Sequence, residues 1–131
     1  MDSEQVAYDE LCCYTLGHPD PAFIHQHVVD AFAGQQGDEH KKPITLTFGL
    51  VGLYLKIEKH FSGKQVQRAH MDLARQKRAW PSFTLPPQRG SITAADVMNV
   101  PAGPDRDKNI DAWCAAVWEA FKDTHKTVAD L

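Results

Sequence analysis

The chain has 131 residues, of which 43% are hydrophobic and 24% charged, and this is the usual size and composition of one globular domain. The formal net charge of −3 disfavours nucleic acid as a partner, and the longest uncharged apolar run, Pro43 to Leu55, is too short for a membrane span. The three cysteines do not form a disulfide framework and the acidic N-terminus does not resemble a secretory leader, so we expect a cytoplasmic protein of bacterial type.

The N-terminal half of the chain predicts two helices separated by a rigid corner. Helical spacing of apolar residues indicates a first helix over about 3–16. Asp20 is expected to cap the second helix, with Pro21 in its first turn, where a missing N–H group costs little. Gly34 and Gly37 are expected to end that helix.

The third helix is predicted to begin at Pro43 and is apolar on nearly all sides, which is typical of the buried centre of a bundle. Its polar wedge contains Gly49 and Gly52, which would let another backbone approach closely. Ser62 and Gln65 have the spacing of a capping box that starts a fourth helix. The third and fourth helices should therefore form an antiparallel hairpin.

The C-terminal third begins with a proline-rich segment, 81–92, that should run extended across the surface. Thr93 and Asp96 are expected to cap a short helix, and a last helix should start near Asp105. We therefore predict an all-α fold over a single domain, 1–131. It is a compact bundle of about five helices with a Pro-rich irregular strap between helices four and five.

Seven histidines raise the question of a metal site. His25 and His27 would point apart on a helix, and the chain has no His-x-x-x-His or Cys-x-x-Cys spacing. Local spacing therefore predicts no metal ligands, although a site assembled from distant residues such as His18, His25 and His70 stays open as an alternative.

A few polar residues stand where apolar ones are expected. His25 falls within the apolar arc of the second helix, with His27 at its edge, and His70 lies on the apolar face of the fourth, level with Tyr54. Glu58 shares an apolar stripe with Tyr54, and a buried carboxylate must be paired or protonated. These groups, with Thr47, form either a satisfied structural network or a polar pocket. The candidate ligand-binding residues are His18, His25, Tyr54, Glu58 and His70.

The charge is distributed unevenly along the chain. Residues 1–39 contain eight acidic side chains and no Lys or Arg, whereas residues 56–78 contain seven basic and two acidic ones. Either the two regions face each other and partly neutralise, or the basic segment is a docking surface. We favour the first interpretation, because the chain as a whole is acidic.

Several short motifs resemble an uncharacterised family of small bacterial proteins, known only as a domain of unknown function. They are Tyr8-x-Glu10-Leu11, Asp20-Pro21, Ile24-His25, the Leu-x-x-x-Glu end of the third helix, Thr93-Ala94-Ala95-Asp96-Val97 and Trp113-x-x-x-Val117-Trp118. Some relatives have a Cys-x-x-Cys extension that this chain lacks. The resemblance implies a helical fold and a cytoplasmic location, and it implies no activity.

Three functional hypotheses follow from these residues. The first is a small-molecule-binding or regulatory module with a polar pocket near His25, Tyr54 and His70. The second is a metal-dependent or acid/base enzyme that uses His25 and His70. The third is a protein-interaction subunit, in the form of a homodimer, which would use the glycine wedge or the aromatic end of the last helix. The sequence names neither a cofactor nor a ligand, and membrane and nucleic-acid partners are not expected.

Overall fold

The computed structural model describes residues 3–17, 22–37, 43–76, 79–81, 83 and 85–131. All regular secondary structure in these ranges is helical, which confirms the all-α fold. The elements are α1 (Ser3–Leu16), α2 (His25–Gln35), α3 (Pro43–Lys59), α4 (Gly63–Ala74), α5 (Ala94–Met98), α6 (Pro104–Ala120), a 3₁₀ turn (Lys122–Thr124) and α7 (His125–Ala129).

Helix α2 lies at the centre and packs against α1, α3, α4 and α6. Its most extensive contact is with α3, where Gly49 and Gly52 face α2. A Cβ atom on Gly49 would lie 2.9 Å from the Cβ of Ala33, so only glycine permits this approach of the two helices. One continuous core surrounds this contact and includes Leu11, Val28, Leu50, Leu53, Ile110, Trp113, Val117 and Phe121.

The locally encoded features match the prediction. Helix α1 has the predicted bounds, and α3 begins at Pro43 as predicted. Both capping boxes form: Ser62 and Gln65 exchange hydrogen bonds at the start of α4, and Thr93 and Asp96 do so at the start of α5.

Two helix boundaries differ from the prediction. Helix α2 begins at His25 rather than near residue 21, because Phe23 has a left-handed backbone with φ 59° that no α-helix accommodates. Asp20 and Pro21, which were predicted to cap and begin this helix, lie outside the described residues. The last helix breaks at Phe121, after which a 3₁₀ turn leads into α7. With the short helices α5 and α7 counted separately, the described residues form seven α-helices rather than about five.

The proline-rich segment is tied to the core through Gln35. The indole Nε1 of Trp113 donates to Oε1 of Gln35 (3.0 Å), and Nε2 of Gln35 donates to the carbonyl of Ile92 (2.6 Å). The guanidinium of Arg89 donates in turn to the carbonyls of Gln35 and Gly37. The side chain of Gln35 therefore joins three segments of the fold.

The acidic region 1–39 meets the basic region 56–78 through α2, which packs against α3 and α4, and Oδ1 of Asp30 lies 3.9 Å from Nε2 of His70. Helix α1 packs against α2 and α5, whereas α4 packs against α2 and α3. Among the described ion pairs, none joins Asp9 or Glu10 of α1 to a base of α4. None of the helices described is long and apolar enough to cross a membrane.

Candidate functional site

The predicted site residues lie in separate parts of the fold. His25, at the start of α2, has its Nδ1 atom 2.9 Å from the hydroxyl of Thr15 on α1. Burial lowers the pKa of His25, so its neutral form is favoured. Contrary to prediction, His25 is only partly buried and His27 is the buried histidine, at 6% exposure. The stripe of α2 that packs inward runs through His27, Asp30, Ala31 and Gly34, and His25 lies at its edge.

His70 lies between α2, α3 and α4, away from His25. Its Nδ1 atom is 3.4 Å from Nε2 of Gln26, and its ring centroid is 5.3 Å from that of Phe48. Burial lowers the pKa of His70, and the backbone of Phe48 opposes that shift. The closest acidic group is Asp30, whose Oδ1 lies 3.9 Å from Nε2 of His70.

Tyr54 and Glu58 point towards α6 instead. The ring centroids of Tyr54 and Trp118 are 6.0 Å apart, and Nε1 of Trp118 donates to Oε1 of Glu58 (2.9 Å). Glu58 is exposed, so the prediction of a buried carboxylate was wrong. Its stripe reaches the surface because the last turn of α3 extends beyond the core.

The structure therefore does not bring His25, Tyr54 and His70 together into one pocket. It brings only Tyr54 and Glu58 to a common neighbour, Trp118. Thr47 is fully buried, but its hydroxyl has no hydrogen-bond partner, so the predicted network with Tyr54, Glu58 and His70 does not form. His18 lies outside the described residues.

Asp30 is the buried acid that the sequence analysis missed, since it was counted among the N-terminal acids. It is 2% exposed, and its Oδ1 accepts a hydrogen bond from Gln26 (3.1 Å). Its Oδ2 has no hydrogen-bond partner and points at Gly52. Burial raises the pKa of Asp30 well above its ordinary value, so the neutral acid is favoured.

A polar cleft opens one helical turn above Asp30, between the start of α2, the end of α3, the α3–α4 turn and α6. It has a volume of about 430 Å³, within the range of small-ligand sites. Its lining comprises Ala22, Ile24, His27, Lys56, His60, Phe61, Ser62, Gln65, Asp107 and Asp111.

The charged side chains of the cleft are held by specific partners. Nζ of Lys56 lies 2.8 Å from Oδ1 of Asp111, and the lysine side chain is only 15% exposed. The hydroxyl of Tyr14 donates to Oδ1 of Asp107 (2.8 Å). Burial, followed by this hydrogen bond, raises the pKa of Tyr14. The cleft thus presents fixed acceptors and a fixed cation rather than freely rotating surface charges.

The backbone around the cleft is strained. Phe23 and His60 are the two non-glycine residues with positive φ in the described chain, at 59° and 58°. His60 lines the cleft, and Phe23 lies between the lining residues Ala22 and Ile24. Gly63 allows the α3–α4 turn to pack against the segment around Phe23, because a Cβ atom at Gly63 would overlap the carbonyl of Phe23. Such strain persists only where the surrounding packing imposes it, and it concentrates at functional sites.

Comparison with known families matches residues 5–122 to a family described as a family of unknown function, DUF5946. The chain belongs to DUF5946. No curated protein and no solved structure matches this DUF5946 member. The match agrees with the predicted membership of a domain-of-unknown-function family.

The described residues of this DUF5946 protein contain no group of three or more His, Cys, Asp or Glu side chains placed to hold a metal ion. The cleft is instead suited to hydrogen bonding, with Lys56 as a donor and two aspartates as acceptors. Sequence reasoning missed it because its residues come from four separate segments. The one available signal was the polar wedge of the third helix, on which Lys56 and His60 lie.

Proposed function

We propose that this protein is a small-molecule-binding helical module and that its ligand occupies the cleft between Lys56, His60 and Asp111. The observation that carries the proposal is the placement of strain: both left-handed non-glycine residues, Phe23 and His60, border this cleft. The packing that holds these two left-handed backbones also holds the walls of the cleft in a fixed geometry. Ligand sites are usually preformed in this way.

The lining chemistry supports a small, polar ligand that both donates and accepts hydrogen bonds. Lys56 offers a cation and Asp107 and Asp111 offer acceptors, while Ile24 and Phe61 supply apolar surface. A zwitterion such as a free amino acid fits this combination, because its carboxylate would face Lys56 and its ammonium group the aspartates.

A thermal-shift screen followed by calorimetry tests the proposal. The probes are the proteinogenic amino acids, short dicarboxylates and polyamines. We expect at least one of them to raise the melting temperature of the wild type, and we expect Lys56→Gln and His60→Ala to abolish that shift.

Lys59→Gln is the matched control, because Lys59 lies on the same helix but outside the cleft. It should retain the full ligand-induced shift. The proposal fails if no probe stabilises the wild type, or if a stabilising probe acts equally on the Lys56→Gln variant.

We also infer that the protein functions in the cytoplasm. Cys12, Cys13 and Cys114 are all free thiols, which agrees with a reducing compartment. Fractionation of the native host with an antibody against the protein tests this inference, and recovery in a secreted or periplasmic fraction would contradict it.

A further inference from the structure

Two exposed helical faces carry opposite charge. The acidic face is the outer side of α1 and consists of Asp9, Glu10, Cys13 and Leu16. The basic face is one stripe of α4 and consists of Lys64, Arg68, Met71 and Arg75. The members of each face are neighbours at helical spacing, so each face is continuous along its helix.

Contacts within the protein leave most of this charge unbalanced. Among the described residues, Arg75 pairs with Asp72 on its own helix (3.2 Å), while Lys64 and Arg68 have no ion pair. On α1, Asp9 accepts a hydrogen bond from Gln5, a neutral residue of the same helix (3.0 Å). The acidic and basic faces therefore both remain available to a partner of opposite charge.

Each face also exposes a large apolar side chain. Leu16 is 62% exposed and Met71 is 56% exposed, and these are the two most exposed large hydrophobic residues of the described chain. Met71 lies in a shallow groove of about 450 Å³, whose other lining residues are Lys64, Gln67, Arg68, Asp72 and Arg75, with Asp72 paired to Arg75. The acidic face ends in an exposed leucine and the basic face contains an exposed methionine, so the two faces are complementary in charge and each offers an apolar contact.

We propose that the partner is a second copy of this chain, with the acidic face of one copy seated on the basic face of the other. Helices α1 and α4 are both neighbours of α2. A two-fold dimer of this kind pairs each face of one copy with the opposite face of the other. The net charge of −3 disfavours a polyanion such as nucleic acid on the same basic face.

This interface differs from the two that the sequence suggested for a homodimer. The glycine wedge of α3 is filled by α2, since Gly49 and Gly52 contact residues Ala33 and Asp30. The aromatic end of α6 is also covered, because Trp118 is 2% exposed. Neither surface is available to a second copy.

Charge reversal tests the dimer by analytical ultracentrifugation. We expect the wild type to be dimeric at low salt and to dissociate as salt rises. Arg68→Glu and Glu10→Arg should each raise the dimer dissociation constant about tenfold or more, since each change introduces repulsion at two symmetric contacts. The double variant, with the charges exchanged, should recover the dimer.

Lys59→Glu is the matched control, because it makes the same charge reversal on an exposed lysine outside both faces. It should leave the dissociation constant unchanged, and circular dichroism checks that all variants are folded. A wild type that is monomeric at every concentration overturns the proposal, as does a double variant that stays dissociated. Binding of a labelled oligonucleotide by monomeric wild type, lost in Arg68→Glu, would assign the basic face to nucleic acid instead.

Discussion

The carboxyl group of Asp30 occupies the space that a side chain on Gly52 would fill. A Cβ atom built on Gly52 would overlap both Oδ2 and Cγ of Asp30. The acid is buried where α2 and α3 come close together, and among the described residues it accepts a hydrogen bond only from Gln26 on its own helix. The fold therefore couples a glycine of α3 to an acid of α2.

Gly52→Ala should destabilise the protein by about 1–3 kcal/mol, because the added methyl group overpacks a contact that cannot expand freely. Asp30→Ala removes the group that the methyl would strike. In the double variant the two effects should therefore not add, and the coupling energy should be at least about 1 kcal/mol. Urea denaturation of the wild type, both single variants and the double variant measures this coupling.

Gly49→Ala provides the control for that cycle. Its added Cβ would lie 2.9 Å from the Cβ of Ala33 and 3.1 Å from the main-chain carbonyl of Asp30. Asp30→Ala changes neither atom, so it should not rescue Gly49→Ala. Equal rescue of both glycine variants would show that Asp30→Ala loosens the helix pair in general.

Asp30 should make stability fall as pH rises, whereas a carboxylate whose pKa is lowered by an ion pair makes stability rise with pH. The pKa of Asp30 is raised in the folded state, so the folded protein holds a proton that the unfolded chain releases above about pH 3.9. The stability contributed by this group therefore falls as pH rises from about 4 towards the folded pKa. Asp30→Asn removes this loss, so its stability relative to the wild type should increase over that range.

Urea denaturation at intervals from pH 4 to 8 measures the difference between wild type and Asp30→Asn. His70 contributes with the opposite sign, because its lowered pKa removes stability as pH falls below about 6.5. Because Nε2 of His70 lies 3.9 Å from Oδ1 of Asp30, the comparison is repeated in a His70→Gln background, where this second contribution is absent. A difference that stays constant from pH 4 to 8 would mean that Asp30 has an ordinary pKa.

Gln35→Ala should release the proline-rich segment from the core. The substitution leaves Nε1 of the buried Trp113 without its acceptor and removes the donor to the carbonyl of Ile92, which together should destabilise the fold by about 1–3 kcal/mol. Trypsin should then cleave faster after Arg89, as followed by mass spectrometry. Gln88→Ala, an exposed change in the same segment, should leave the cleavage rate unaltered. Equal rates in both variants would contradict the role of Gln35.

Glu58→Ala should cost less than about 1 kcal/mol. The exposed carboxylate accepts from Nε1 of Trp118, and water can take over as acceptor once the side chain is shortened. Glu58→Gln keeps an acceptor at that position and should be closer still to wild type. Thermal denaturation compares the three proteins, and a loss above about 2 kcal/mol in Glu58→Ala would mean that Trp118 has no access to water there.

Sequence alone predicted the parts of the fold that depend on neighbouring residues. The bounds of α1 and the capping boxes at Ser62 and Thr93 follow from spacings of a few residues. The start of α2 does not, because Phe23 is held in its left-handed conformation by packing against Gly63, forty positions later in the chain. Tertiary contact overrode local preference at that point.

The candidate site was less predictable than the fold. Lys56 and Asp111 meet only because α3 packs against α6, and a single sequence does not show which distant charges pair. One feature of the sequence pointed towards Asp30. The predicted close approach at Gly49 and Gly52 required residues of another helix to lie against these glycines. What the sequence could not show was that the group placed there is a carboxylic acid.

The central position of α2 has a consequence for how the molecule unfolds. This helix has only eleven residues, yet four other helices pack on it and Gln35 at its end holds the proline-rich segment. Detachment of α2 would expose the core faces of the four helices that pack on it, which disfavours partly folded forms that lack α2. Loss of structure should therefore be an all-or-none event, with backbone amides of α1, α3 and α6 exchanging with solvent at a common, slow rate.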